Sequence, residues 1–482
     1  MKDQISKVLN WLNGQSVDYA DIRIVDKQYE DISTNNLTVE KIQNSRSKGY
    51  GIRVIFDGSL GFASSQDFDL IQDTAVKALL IAKSSRELQT EKIILSPKDI
   101  IVDHYKTPIE KDPFAVPMAE KIQLLMSAEE TMRASGDLSR TWGNLNFQRI
   151  DKIFADTEGS YITQELYESG GGIIAYATHE ADTQQRSYPN CFGGNVGSAG
   201  YEFIEKMDLI GNAARIGTEA TELVRAEECP SGHFDVIIDS DQLQLQIHES
   251  IGHPVELDRI FGSEAAYAGM SFVHTGMIEE GFKYGSEHVT VVADGTLPEA
   301  LGTFGYDDDG VKAQKTTIID KGILKNFISS RDTAWKIGQA SNGTNRADGW
   351  QNIPIVRMTN INLMPGNFEL DELVSGVENG LFLKTNRSWS IDDKRVNFQF
   401  GTEIAYEIKA GQLTGKIYKN PIYSGITPEF WGSCDGIANE NYWRVYGTPN
   451  CGKGEPGQEA HVAHGASPAR FRNVKVGVSD VK

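Results

Sequence analysis

Cysteine is scarce: four in 482 residues, Cys191, Cys229, Cys434 and Cys451, widely spaced and with no CxxC pair. A disulfide-stapled fold is not expected at this length, and reduced thiols in a cytoplasm are the reading the spacing favours. Long apolar runs are missing as well. None reaches the roughly 18 residues of a membrane-spanning helix. The N-terminus, MKDQISKVLNWLNGQ, spaces Ile5, Val8, Leu9 and Leu12 as one face of a helix and has no signal-peptide core. Positive charge is in deficit: 47 Lys and Arg against 67 Asp and Glu leave a formal charge of −20. That speaks against a nucleic-acid footprint and against docking on anionic lipid. No repeat period and no low-complexity tract occurs.

What is present reads as an α+β protein. DYADIRIVD from Asp18, then LTVEKIQ, then GYGIRVIFDGSLGFASS predict strands, the last a hairpin turning at Asp57-Gly58. DLIQDTAVKALLIAKSS predicts a helix over them, with Leu70, Ile71, Val76, Leu79 and Leu80 apolar. TPIEKDPFAVP reads as a linker. A second helix, MAEKIQLLMSAEETMRAS, precedes strands with turns expected at Glu158-Gly159 and at Gly170–Gly172. A third helix near EKMDLIGNAARIGTEATELVRA ends before Cys229-Pro230. The expected division is an N-terminal α+β region, 1–229, with helix-plus-antiparallel-sheet segments at about 1–100 and 115–229. A larger β-rich domain, 230–482, follows, with turns at Lys321-Gly322 and Gly411.

The informative string is His248-Glu249-Ser250-Ile251-Gly252-His253, on a helical stretch of that second domain. It is one residue longer than the HExxH of zinc peptidases. On a regular helix, positions i and i+4 are about 40° apart around the axis, but i and i+5 about 140°. Both imidazoles reach one ion only if the helix is broken. Gly252 at positive φ, with Pro254 extending His253, is one route; a π-bulge is another. Glu249, beside a ligand, stands where a general base acts on metal-bound water. A catalytic zinc needs a third protein ligand and one open position. Glu256, Cys451 in a Gly/Pro-rich loop, His461 and His464 are the candidates.

These residues carry a resemblance. HESIGHPVE, GTFGYDDDG, NGTNRADGWQNIPIVRMTNINLMPG and a late NCGK, with GYGIRVIFDGSLGFASS upstream, resemble the TldD branch of the TldD/PmbA family of zinc metallopeptidases over nearly the whole chain. The resemblance implies Zn2+ held by His248, His253 and Cys451, with Glu249 catalytic. It also implies small unstructured peptides as substrates. The assembly it implies is a dimer enclosing the site, either a homodimer or a heterodimer with a PmbA (TldE)-type subunit. HVAHGASPARFR departs from the apolar, Gly-rich pattern of the family after the Cys loop, which keeps His461 and His464 open as ligands.

The function expected is a zinc-dependent metallopeptidase with metal-bound water activated by Glu249. The alternative is a non-catalytic binding or scaffold subunit with a structural zinc, which would need four protein ligands. Asp307, Asp308 and Asp309 before Gly310 are expected to make a turn. Arg346 and Arg357 are expected to hold either a peptide carboxylate or an acidic side chain. Trp431 and Trp443 are expected in the core or at a dimer contact.

Overall fold

A computed structural model describes residues 1–191 and 193–478. About a quarter of it is helix and 43% strand, a mixed α+β chain. The N-terminal part runs α1 (Lys2–Asn13), β1 (Tyr19–Asn35), β2 (Thr38–Phe56), β3 (Ser59–Ser65), α2 (Ile71–Ser85), β4 (Val102–Lys106) and α3 (Met118–Ser135). It continues with β5 (Arg140–Asp156), β6 (Tyr161–His179), β7 (Asp182–Tyr188), β8 (Asn195–Ser198), α4 (Glu202–Met207) and α5 (Leu209–Leu223).

Both N-terminal segments feed one nine-stranded sheet, because β1 pairs antiparallel with β5 from Asp21↔Asp156 to Asn35↔Trp142. LTVEKIQ and GYGIRVIF are one continuous strand, β2, rather than two. Alternation assigns the faces. Ala20, Ile22 and Ile24 turn toward α1 and α2, where Ile5, Val8, Leu12, Ala75 and Leu79 close a core. A second core joins α3 and α5 to Leu145, Phe147 and Ile173. Asp21, Arg23 and Val25 turn to the other face, toward the second half of the chain.

The turn expected at Gly170–Gly172 is absent: these glycines lie inside β6. There β6 exchanges one neighbour for another, pairing with β8 at Ser169–Gly171 and with β7 from Ile173. A Cβ on Gly172 would lie 2.5 Å from the Cα of Gly194, so the glycine serves close packing rather than a bend.

The second half begins with β9 (Glu227–Glu228), β10 (Gly232–Ile238) and α6 (Ser240–Ile247). An eight-stranded sheet is ordered 379–391, β10, 469–478, 421–426, 397–409, 412–419, β9, with the eighth strand, 434–437, paired to 469–478 off this path. Pairing of 379–391 with 397–409 closes five of these strands into a ring. A four-stranded sheet and a hairpin, Arg444–Lys453 with Gln458–Ala466, complete it.

Every residue of α6 is buried. Leu243 and Ile247 join the large core, and the glutamines between them need partners in a dry interior. Gln242 Nε2 donates to Tyr423 Oη at 2.8 Å, Tyr423 Oη to Gln246 Oε1 at 3.0 Å, and Gln246 Nε2 to Ser250 Oγ at 3.0 Å. This chain of bonds fixes the helix against the ring of strands.

Candidate metal centre

The helix does break after α6, by the second of the two routes. His248–Gly252 is a π turn, with His253 N–H bonded to His248 C=O. Gly252 keeps an ordinary right-handed φ of −58°, so the positive φ proposed for it is incorrect. Its lack of a side chain matters sterically, since a Cβ would meet Met358 Sδ at 2.0 Å. Tyr284 Oη donates to Ser250 C=O at 2.5 Å, and Trp431 Nε1 donates to Ser250 Oγ at 2.9 Å. The wider turn adds one residue per revolution and brings both imidazoles to one side, their centroids 4.8 Å apart.

Cys451 reaches them from the far end of the chain. It lies in a strand, not a loop. The Arg444–Lys453 strand bulges between Thr448 and Cys451, where Pro449 and Asn450 drop out of the pairing. Arg357, fully buried, donates to the carbonyls of Cys451 and, at 3.1 Å, of Gln458, clamping both strands of the hairpin. Arg346 donates to Met358 C=O and, at 2.8 Å, to His461 C=O. Among the described ion pairs neither arginine meets an acidic side chain; backbone carbonyls take that place.

The ligand-type atoms of His248, His253 and Cys451 lie within 4.8 Å of one another, and all three residues are buried. The Cys451 Sγ to His253 Nε2 distance is 3.7 Å. Zinc bonds of about 2.3 Å to sulfur and 2.1 Å to nitrogen give a tetrahedral edge of about 3.6 Å, so the donor set fits this ion in type and spacing. Burial alone would raise the Cys451 thiol, but His248, Arg357 and His253 outweigh it and hold the thiol well below its ordinary range. Burial pulls His253 well below the usual imidazole range, against the opposing pull of Cys451. His248 is likewise opposed by burial, yet Cys451 and Glu249 leave it raised. A thiolate facing an imidazolium is the arrangement a cation takes over by displacing the Nε2 proton.

Of the other ligand candidates, two become supports. Glu256 Oε2 accepts from His253 Nδ1 at 2.9 Å and is itself 3.2 Å from Lys453 Nζ. Lys453, wholly buried, also binds Asp258 Oδ1 at 2.7 Å. His464 Nε2 is 2.8 Å from His248 Nδ1. His461 turns away and pairs with Glu168 at 2.7 Å, lining a cavity of about 530 Å³ between the large sheet and the hairpin.

Glu249 is buried beside the cluster and is ion-paired through Oε2 with Arg395 Nη1. Nothing in IDDKRVN marks that arginine beyond a polar hairpin turn, so sequence reasoning missed it. The acidic run Asp307–Asp309 does make a turn, with Gly310 N–H on Asp307 C=O at 3.1 Å. It is a buried one, tying the halves together through Arg53–Asp309 at 2.6 Å and Lys152–Asp308 at 2.6 Å. Trp431 is core, wholly buried against Phe430 and Phe471.

Three family models match: the PmbA/TldA metallopeptidase domain 1 over residues 20–83, the central domain over 111–226 and the C-terminal domain over 231–477. The chain belongs to the PmbA/TldD family of metallopeptidases. It is 31% identical to a metalloprotease of Methanothermobacter thermautotrophicus over 464 residues, 96% of each chain. A metalloprotease TldD homolog of Buchnera aphidicola is 24% identical, over 96% of this chain and 93% of its own. The crystal structure of TldE from Thermococcus kodakarensis shares the fold at a TM-score of 0.72 and 14% identity, covering 98% of this chain and 100% of that one. Among the described residues no helix is long and apolar enough to cross a membrane.

Proposed function

We propose that the protein is a zinc-dependent metallopeptidase cleaving small unstructured peptides, with His248, His253 and Cys451 as the metal ligands and Glu249 as the general base. The observation that carries this reading is the ligand count. Among the described residues the cluster gathers three protein donors, and the nearby residues able to supply a fourth, Glu249, Glu256 and His464, each have another partner. Glu256 is held through Oε2 by His253 and Lys453, its Oε1 having no partner, and His464 is held by His248 and Ile361 C=O. Three protein ligands and an open position suit a catalytic zinc, whereas a structural zinc is closed by four. This weighs against the scaffold alternative.

Zinc at this site would polarise the scissile carbonyl and acidify a water. His253 and His248 would hold it through Nε2, each being fixed from behind at Nδ1 by Glu256 and His464 respectively. Glu249 takes a proton from the attacking water on its carboxylate and returns it to the leaving amine. The test is Glu249→Gln, which keeps the shape and removes the base. Zinc content and fold should persist while kcat falls about 10²–10⁴-fold. Cleavage at the wild-type rate would overturn the assignment, and loss of zinc would make Glu249 a ligand.

A dimer closing over the site, either of two copies or with a TldE-type subunit, fits a peptidase that spares folded proteins. Sedimentation of the active form should show at least a dimer; an active monomer would end this part of the proposal. Four unpaired, buried cysteines accord with a cytoplasmic location.

A further inference from the structure

Arg395 sits in the turn between the strands 379–391 and 397–409, yet its guanidinium reaches Glu249, 146 residues away in sequence. The turn is built to hold it there. Arg395 itself adopts φ +66°. Asp392 accepts from Val396 N–H at 2.8 Å and Asn397 N–H at 3.1 Å. Thr427 Oγ1 donates to Arg395 C=O at 2.8 Å. Met270 N–H and Phe272 N–H bind the carbonyls of Asp393 at 3.0 Å and Lys394 at 2.9 Å, pinning the turn from the other side.

The side chain is only 13% exposed, and its Nε is buried without a partner. An unpartnered Nε also occurs on Arg346 and Arg357, whose other donors clamp backbone carbonyls; Arg395 differs in that its side-chain bond goes to Glu249, beside the ligand cluster. Arg395 leaves a donor free. A cation beside a cation-binding cluster is electrostatically unfavourable, and a buried donor without an acceptor calls for an explanation. An acceptor that exists only during the reaction supplies one.

We infer that Arg395 donates to the oxygen of the scissile carbonyl as it becomes an oxyanion. The inference rests on the peptidase reading above. Water oxygen bonds to the carbonyl carbon, one water proton passes to Glu249, and the C=O π pair moves onto oxygen, where the free Arg395 N–H meets it. The C–N bond then breaks as Glu249 returns the proton to the amine, giving one acid and one amine from one water. Nη1 meanwhile keeps the Glu249 carboxylate aligned. Anchoring of a peptide's terminal carboxylate fits less well. A donor touching the base is next to the scissile carbonyl, whereas that terminus is at least one residue, about 3.5 Å, further on.

The test compares wild type, Arg395→Met and Arg395→Lys as zinc-loaded protein, with the partner subunit where activity requires one. The readouts are zinc content, kcat and KM on an alanine tetrapeptide in free-acid and amidated forms, and the Ki of its phosphinic analogue, which mimics the tetrahedral oxyanion. Full zinc is expected throughout. Arg395→Met should lose about 10²–10³-fold in kcat with KM nearly unchanged, and affinity for the phosphinic analogue should fall by a similar factor. Arg395→Lys should recover part of both, and it carries the comparison if the Met variant does not fold. Three results overturn the inference: wild-type kcat, loss confined to KM on the free-acid peptide, or equal loss of substrate and analogue affinity. Wild-type kcat in Arg395→Met alongside a zinc-loaded, inactive Glu249→Gln would sink this inference and leave the peptidase reading standing. A wild type that cleaves neither peptide would sink both.

Discussion

His464 accepts a hydrogen bond from Nδ1 of His248 at 2.8 Å, and a carbonyl fixes the direction of that bond. The other nitrogen of His464, Nδ1, lies 3.1 Å from Ile361 C=O, which can only accept. His464 therefore donates there and, being neutral, accepts at Nε2. Its neutrality follows from burial, which pulls it well below the ordinary imidazole range, with His248 adding to the effect. His248 must then carry its proton on Nδ1, which leaves Nε2 for the metal side.

Removing this relay should loosen the site. His464→Leu is expected to weaken zinc retention about 10–100-fold, the usual effect of losing a support behind a ligand. His464→Gln, whose amide can donate and accept, should retain most of it. Chelator competition measures both. Equal retention by the Leu variant would show that the relay is dispensable.

Lys453 is the sole cation bonded to the buried carboxylates of Glu256 and Asp258 among the described ion pairs. Lys453→Met leaves two acids in a dry interior. Breaking such a pair from one side costs about 3–5 kcal/mol, which urea denaturation would register as a lower midpoint. A change within about 0.5 kcal/mol would contradict this account.

Gly252→Ala should be poorly tolerated for steric reasons. The new methyl would collide with Met358 Sδ, and overpacking of this kind costs about 1–3 kcal/mol. The π turn would shift, taking His253 with it. Met358→Ala combined with Gly252→Ala should recover stability and zinc content. Failure of the double variant to improve on the single would point to the backbone instead.

Burial, with Asp239 adding to it, lifts the Asp241 carboxyl to about 6 from its ordinary 3.8. An acid raised on folding favours the folded state most below the unfolded pKa and loses that contribution as pH rises through the folded one. Asp241→Asn keeps an acceptor for Thr385 N–H, 2.9 Å from Oδ1 in the wild type. The stability difference between wild type and variant should therefore move against the wild type as pH rises from about 4 to 6. A pH-independent difference would mean that Asp241 does not titrate in that window.

Spacing in the sequence made the cluster legible, because two histidines five residues apart around a glycine require a local break in a helix. Hairpins at Asp57-Gly58, Lys321-Gly322 and Gly411 were legible for the same local reason: turn chemistry is written where the turn is. The long β2 was split in reading because its first half, from Thr38 to Lys48, is exposed on both faces and carries no alternation. Gly170–Gly172 misled because close packing and turning use the same residue. Arg395, and the supporting roles of Lys453 and His464, depend on partners 146–216 residues away. No local pattern encodes a partner at that distance.

The same separation has a consequence for biosynthesis. His253 and Cys451 are 198 residues apart, and the thiolate arrives on the hairpin of 444–453 with 458–466. A chain emerging from the ribosome would expose both histidines long before the sulfur. An ion held by all three could be locked in only after Cys451 has emerged and its hairpin has docked against the buried helix. Stalled nascent chains are thus expected to hold chelator-resistant metal only when Cys451 is present and clear of the ribosome, and resistant metal on nascent chains ending before Cys451 would refute that order of events.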